Sequence, residues 1–127
     1  MGQQQLLLVC LSVIIIGTAI YAGFRVAEMQ NQNQARDQLI SHINVLNTQL
    51  QVYLQKPKSL NGGGGSAVGF KLPKSLLKTP AGTFTYTRSG QKVTFTGTGT
   101  VRGEKKKTNV RVTGKFAKGK LSITINN

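Results

Sequence analysis

One histidine, one cysteine and three carboxylates are the main stock from which this sequence could build acid–base, nucleophilic or metal chemistry. Such chemistry needs convergent groups, and no two of these stand in a recognisable relation. His42 has no second ligand type three or four residues on, where a helix would place one on the same face. Glu28 and Asp37 lie nine apart, flanked by Arg25 and Arg36, and ion pairing along a helix accounts for them. Cys10 sits within an apolar run, where a thiol behaves as a small hydrophobe, and as the single cysteine it forms no internal disulfide. The reading is a protein that is not an enzyme and has no cofactor or metal.

Charge points instead to binding. Lys and Arg total 17 against 3 Asp and Glu, a net charge of +14. Up to Gln55 the charged side chains are Arg25, Glu28, Arg36 and Asp37, which cancel, so the whole excess lies from Lys56 onward. Acidic polysaccharide, anionic lipid and nucleic acid all suit such a surface. The candidate anion patch is the run Lys105, Lys106 and Lys107 at an expected hairpin tip with Arg102, Lys118 and Lys120, in a sheet that is also expected to expose Lys92, Arg111 and Lys115. Any single lysine here is explained as a guard against edge-to-edge strand pairing, whereas the ensemble exceeds the charge of about 2 to 8 that solubility asks for. Few aromatic residues fall on the outer strand parity to stack bases, so association with anionic surfaces or DNA is expected to be non-specific.

The elements that must carry these residues change character along the chain. Residues 6–24 read LLLVCLSVIIIGTAIYAGF, without a charge and with Ser12 and Thr18 as the clear polar interruptions. As a helix rising roughly 1.5 Å per residue, the run just crosses a hydrocarbon core roughly 30 Å thick. A cleaved signal peptide is the competing reading, but Gln3, Gln4 and Gln5 stand where a basic region is wanted and no good A-x-A site follows. The segment is therefore expected to be retained. Myristoylation of Gly2 is discounted because Leu6 occupies the Ser/Thr position of that motif.

Beyond Arg25, Leu39, Ile43, Leu46, Leu50 and Tyr53 recur every three or four residues, with Ile40 and Leu54 beside them. This is one apolar stripe on a helix. No Gly or Pro interrupts residues 25–55, which predicts one helix from about residue 3 to 55, stopped by Lys56-Pro57. The run of four glycines, 62–65, reads as an irregular connection; a phosphate-cradling loop is rejected because no Gly-Lys-Ser/Thr follows. From Gly82 the period becomes two. Phe84 and Tyr86, then Val93, Phe95 and Val101, then Val110, Val112 and Phe116, then Leu121, Ile123 and Ile125 alternate with polar residues. These are four half-buried strands joined by short turns.

The expected fold is α+β: a long N-terminal helix, hydrophobic in its first half, packed by its C-terminal half on a four-stranded antiparallel β-meander. Residues 1–25 form the hydrophobic transmembrane or filament-core half, 26–56 the amphipathic half, 57–81 the Gly-rich connecting loop and 82–127 the β-sheet head.

This layout, with the segment GQQQLLLVCLSVIIIGTAIYAG and the block KPKSLNGGGGS ahead of Thr-rich strands, resembles the type IV pilin and pseudopilin superfamily. The resemblance implies a structural subunit of a helical homopolymer on the bacterial cell surface, drawn from a cytoplasmic-membrane pool. It implies filament-core packing by Leu6, Leu7, Leu8, Leu11, Ile14, Ile15, Ile16, Ile20 and Phe24. It also implies loosening of the helix near Gly17 and Gly23, where related pilins melt; the small-xxx-small pair Ala19 and Gly23 supports close helix packing equally well. Gln5 stands where pilins usually carry a glutamate thought to pair with a neighbour's N-terminal amine; an amide can still accept that hydrogen bond, without charge assistance. No basic leader ending in Gly precedes Met1, so either Met1 begins the processed form or processing differs. The alternative is a monomeric membrane-anchored basic domain that binds polysaccharide, lipid or nucleic acid, and a third reading is a secreted domain freed by signal cleavage.

Overall fold

The computed structural model describes residues 2–103 and 108–126. Helix α1 occupies Gly2–Gln55 as a single element, in keeping with the absence of Gly and Pro from residues 25–55. The chain divides into two compact units, Met1–Asn31 and Gln32–Asn127.

The second unit is built on the apolar stripe. Leu39, Ile43, Leu46 and Leu50 are completely buried, and Ala35 extends the same stripe one turn earlier. They pack on a sheet of five strands in the order β1 (Lys78–Thr79), β2 (Gly82–Ser89), β3 (Lys92–Arg102), β4 (Asn109–Ala117) and β5 (Lys120–Asn126), every neighbouring pair antiparallel. Phe84, Val93, Phe95, Val110, Val112 and Phe116 point into this core, as period-two alternation requires.

The sheet has five strands, where four were expected. β1 pairs Lys78 with Thr83 and Thr79 with Gly82, and two residues are too short to show an alternation. A second correction concerns β5. Its apolar residues were expected to be covered, yet Ile123 is 36% and Ile125 48% exposed. Helix placement explains this: Leu39 lies against Gly97 and Gly99 on β3 and Ile43 against Gly114 on β4. A helix roughly 10 Å across spans about two strands at roughly 4.8 Å spacing, so α1 centred on β3 and β4 stops short of β5.

On the β2 side the gap is filled by the connection. Ala67 and Phe70 are buried, and Leu72, Leu76 and Leu77, the last two from the short helix α2 (Lys74–Leu77), pack against the core. Phe70 sits between the rings of Tyr53 and Tyr86, with centroids 5.4 and 6.0 Å away. The glycine run is a cap on α1. After a 3-10 turn at Lys58–Leu60 and a left-handed Asn61, the Gly63 N–H donates to the Tyr53 carbonyl at 2.8 Å. Gly65 donates to Leu54 at 2.8 Å and Gly64 to Lys56 at 2.9 Å. Carbonyls that a helix end leaves without partners are thereby satisfied.

Candidate functional site

Two surfaces stand out, and the first is the apolar half of α1. Leu6, Leu7, Leu8, Leu11, Ile14, Ile15, Ile16, Ile20 and Phe24 are all exposed, between 53% and 72%. At 100° per residue these positions are not confined to one stripe, so the segment needs an apolar environment on every side. It is long and apolar enough to cross a membrane.

Its polar groups are turned inward onto its own backbone. The Ser12 hydroxyl donates to the Leu8 carbonyl at 2.7 Å and that of Thr18 to Ile15 at 2.9 Å. Such bonds are what a helix uses where no water is available. At the end of the run, Arg25 Nε donates to the Tyr21 hydroxyl oxygen at 3.2 Å, and its guanidinium carbon lies 5.6 Å from the centre of the Tyr21 ring. An aromatic residue paired with a basic one suits the boundary between an apolar medium and water. Gly17 and Gly23 both lie within unbroken helix, and a Cβ at either would meet nothing within 4 Å. Neither glycine is therefore required by a close approach within the chain.

The second surface is the basic outer side of the sheet. Lys118 and Lys120 lie together at the β4–β5 turn, where Lys118 (φ +51°) and Gly119 (φ +78°) make the two left-handed residues of a tight hairpin. Lys92 and Lys115, two more of the lysines expected on the exposed side of the sheet, join them around an open depression of about 440 Å³ with Thr94 and Ser122 on its walls. Arg102 is separated from this group. It pairs with Asn109 at the other end of β3, ten residues from Lys92 and so roughly 30 Å along the strand. Lys105, Lys106 and Lys107 lie outside the described residues. Register is what brings Lys92 and Lys115 to this turn: both have outward parity, and both fall next to Ala117–Lys120 once the hairpins are closed.

The remaining chemical groups have structural positions. His42 Nε2–H donates to the Leu76 carbonyl at 2.8 Å, and its ring lies 4.3 Å from the ring of Phe84. It pins α2 against α1 and β2. Cys10 is exposed in the apolar segment. Among the described residues no three of His, Cys, Asp and Glu come together as metal ligands would. No family model, curated protein or solved structure matches this chain.

Proposed function

We propose that this chain is the structural subunit of a pilus-like helical filament on the bacterial cell surface, held in the cytoplasmic membrane before assembly and without catalytic activity. The observation that carries the reading is the apolar half of α1, exposed all round within a helix whose residues 25–55 contain neither Gly nor Pro. A simple membrane anchor is commonly followed by a tether of flexible composition. Here the residues after the anchor continue as helix and supply the stripe on which the sheet is built. Lateral packing of many such helix halves would bury in protein what a bilayer buries in lipid, and a filament shaft is the assembly that does so for identical copies.

The basic sheet favours a second reading, a monomeric anchored domain that binds anionic partners, since its charge serves such a partner whether or not the chain polymerises. Electron microscopy of material sheared from the cell surface, with mass spectrometry of the main subunit, separates the two. Filaments made of this chain are expected; recovery of the chain solely as monomer in the membrane fraction overturns the filament reading.

A further inference from the structure

Opposite the core, β2 to β5 present a face with an unusual composition. Register places Thr85 beside Thr96, Thr96 beside Thr113 and Thr113 beside Thr124, so four hydroxyls form one line across four strands. The adjoining row toward the β4–β5 turn is Thr87, Thr94, Lys115 and Ser122, and beyond it lie Lys92 and Lys120. On the other side of the threonine line the row is Thr83, Thr98, Arg111 and Asn126. Lys92, Arg111, Lys115 and Lys120 are exposed. No strand contains Asp or Glu. The face therefore offers cations, hydroxyls and an amide, with no carboxylate to repel an anion.

What it lacks narrows the partner. The aromatic rings of these strands belong to the opposite parity, with Phe84, Phe95 and Phe116 buried and Tyr86 half-buried, so no ring is presented here for stacking unpaired bases. No large aliphatic side chain has outward parity, and insertion into a lipid surface needs one. Duplex nucleic acid asks for neither. Its phosphates are held by Lys, Arg, Ser, Thr and Asn side chains, which is the set displayed. We propose that the outer face of β2–β5 binds the phosphate backbone of double-stranded DNA without reading its sequence. The inference does not rest on filament assembly; it holds equally for a single membrane-held copy.

The test is fluorescence anisotropy of a labelled 30-base-pair duplex with the full chain in neutral detergent micelles, across 50 to 200 mM salt. Four cations on phosphates predict a slope of about −3.6 in log affinity against log salt, a loss of roughly 10²-fold over that range. Lys92→Gln, Lys115→Gln and Lys120→Gln combined should bring the slope to about −1, and Arg111→Gln alone should reduce its magnitude by about 1. Thr124→Asp places a carboxylate at an exposed position of the threonine line and should weaken binding about tenfold at 100 mM salt while leaving circular dichroism unchanged; it carries the test if the triple variant does not fold. Removing three exposed lysines off this face, Lys56, Lys71 and Lys74, should leave the slope unaltered. The proposal is overturned if that control set lowers the slope as much as the face set does. It is also overturned if Thr124→Asp binds as wild type, or if a single strand, an acidic polysaccharide or anionic vesicles at equal charge compete better than the duplex.

Discussion

Ile43 of α1 rests directly on the backbone of β4 at Gly114: a Cβ added to that glycine would lie 2.7 Å from Ile43 Cγ2. Gly97 on β3 makes the same kind of seat, where a Cβ would meet the Phe84 ring at 2.7 Å and Leu39 at 3.4 Å. The helix approaches the sheet this closely because inward positions of the central strands carry no side chain.

Gly114→Ala should therefore destabilise the folded unit by about 1–3 kcal/mol through overpacking. Ile43→Ala should cost about 2–5 kcal/mol on its own by leaving a cavity. Because the added methyl falls where the lost side chain was, the double variant should be less damaged than the sum, with a coupling of about 0.5–3 kcal/mol. Chemical denaturation of the four proteins measures the cycle, and additive losses would contradict the contact.

Gly63 caps α1 and is enclosed: a Cβ there would meet the Ser66 carbonyl oxygen and lie 2.8 Å from Tyr53 Cε1. Gly63→Ala should lower stability by more than about 2 kcal/mol, since both the cap and the ring would have to move. Gly65 has open space but a left-handed backbone (φ +90°), so Gly65→Ala should cost only the conformational strain of about 1 kcal/mol. Thermal melting of the pair distinguishes a packed cap from a flexible linker, for which both substitutions would be neutral.

These glycines show where sequence reasoning reached and where it stopped. The stripe Leu39, Ile43, Leu46 and Leu50 was legible because its spacing of three and four admits one geometry, and β2 to β4 were legible from alternation. Gly97, Gly99 and Gly114 sit at inward parity in that alternation and signalled a close helix approach, but pattern reading counts apolar side chains and passes over their deliberate absence. Composition marks 57–81 as an irregular Gly-rich connection and does not encode what orders it, which is hydrogen bonding to α1 carbonyls and the burial of Ala67 and Phe70. The exposure of Ile123 and Ile125 depends on where the helix lies across the sheet, which no local pattern encodes.

His42 supplies a prediction about structure rather than catalysis. Its substitution by Ala leaves the Leu76 carbonyl without its donor and removes a ring packed on Phe84. A loss of about 2 kcal/mol in unfolding free energy is expected. Unchanged melting would mean that α2 is held by its leucines alone.

Gly17 and Gly23 lie in unbroken helix with open surroundings, so alanine fits at both and should favour helix by about 1 kcal/mol each. If filament assembly requires that region to loosen or to pack closely on neighbours, Gly17→Ala with Gly23→Ala should insert in the membrane as wild type yet yield fewer filaments. Fractionation of cells and quantification of sheared filaments read the two effects separately; equal filament yield would remove both roles from these glycines.

The central claim is that the apolar half of α1 is the part that packs between copies. Ile15 is 58% exposed in the single chain, so Ile15→Asp should leave the folded sheet intact, whereas in an assembled core its unpaired charge would cost several kcal/mol per subunit. The decisive measurement is the yield of sheared filaments from cells making Ile15→Asp, beside the melting curve of the same variant in detergent. Wild-type melting with filaments abolished is the predicted result; wild-type melting with a normal filament yield would contradict the account.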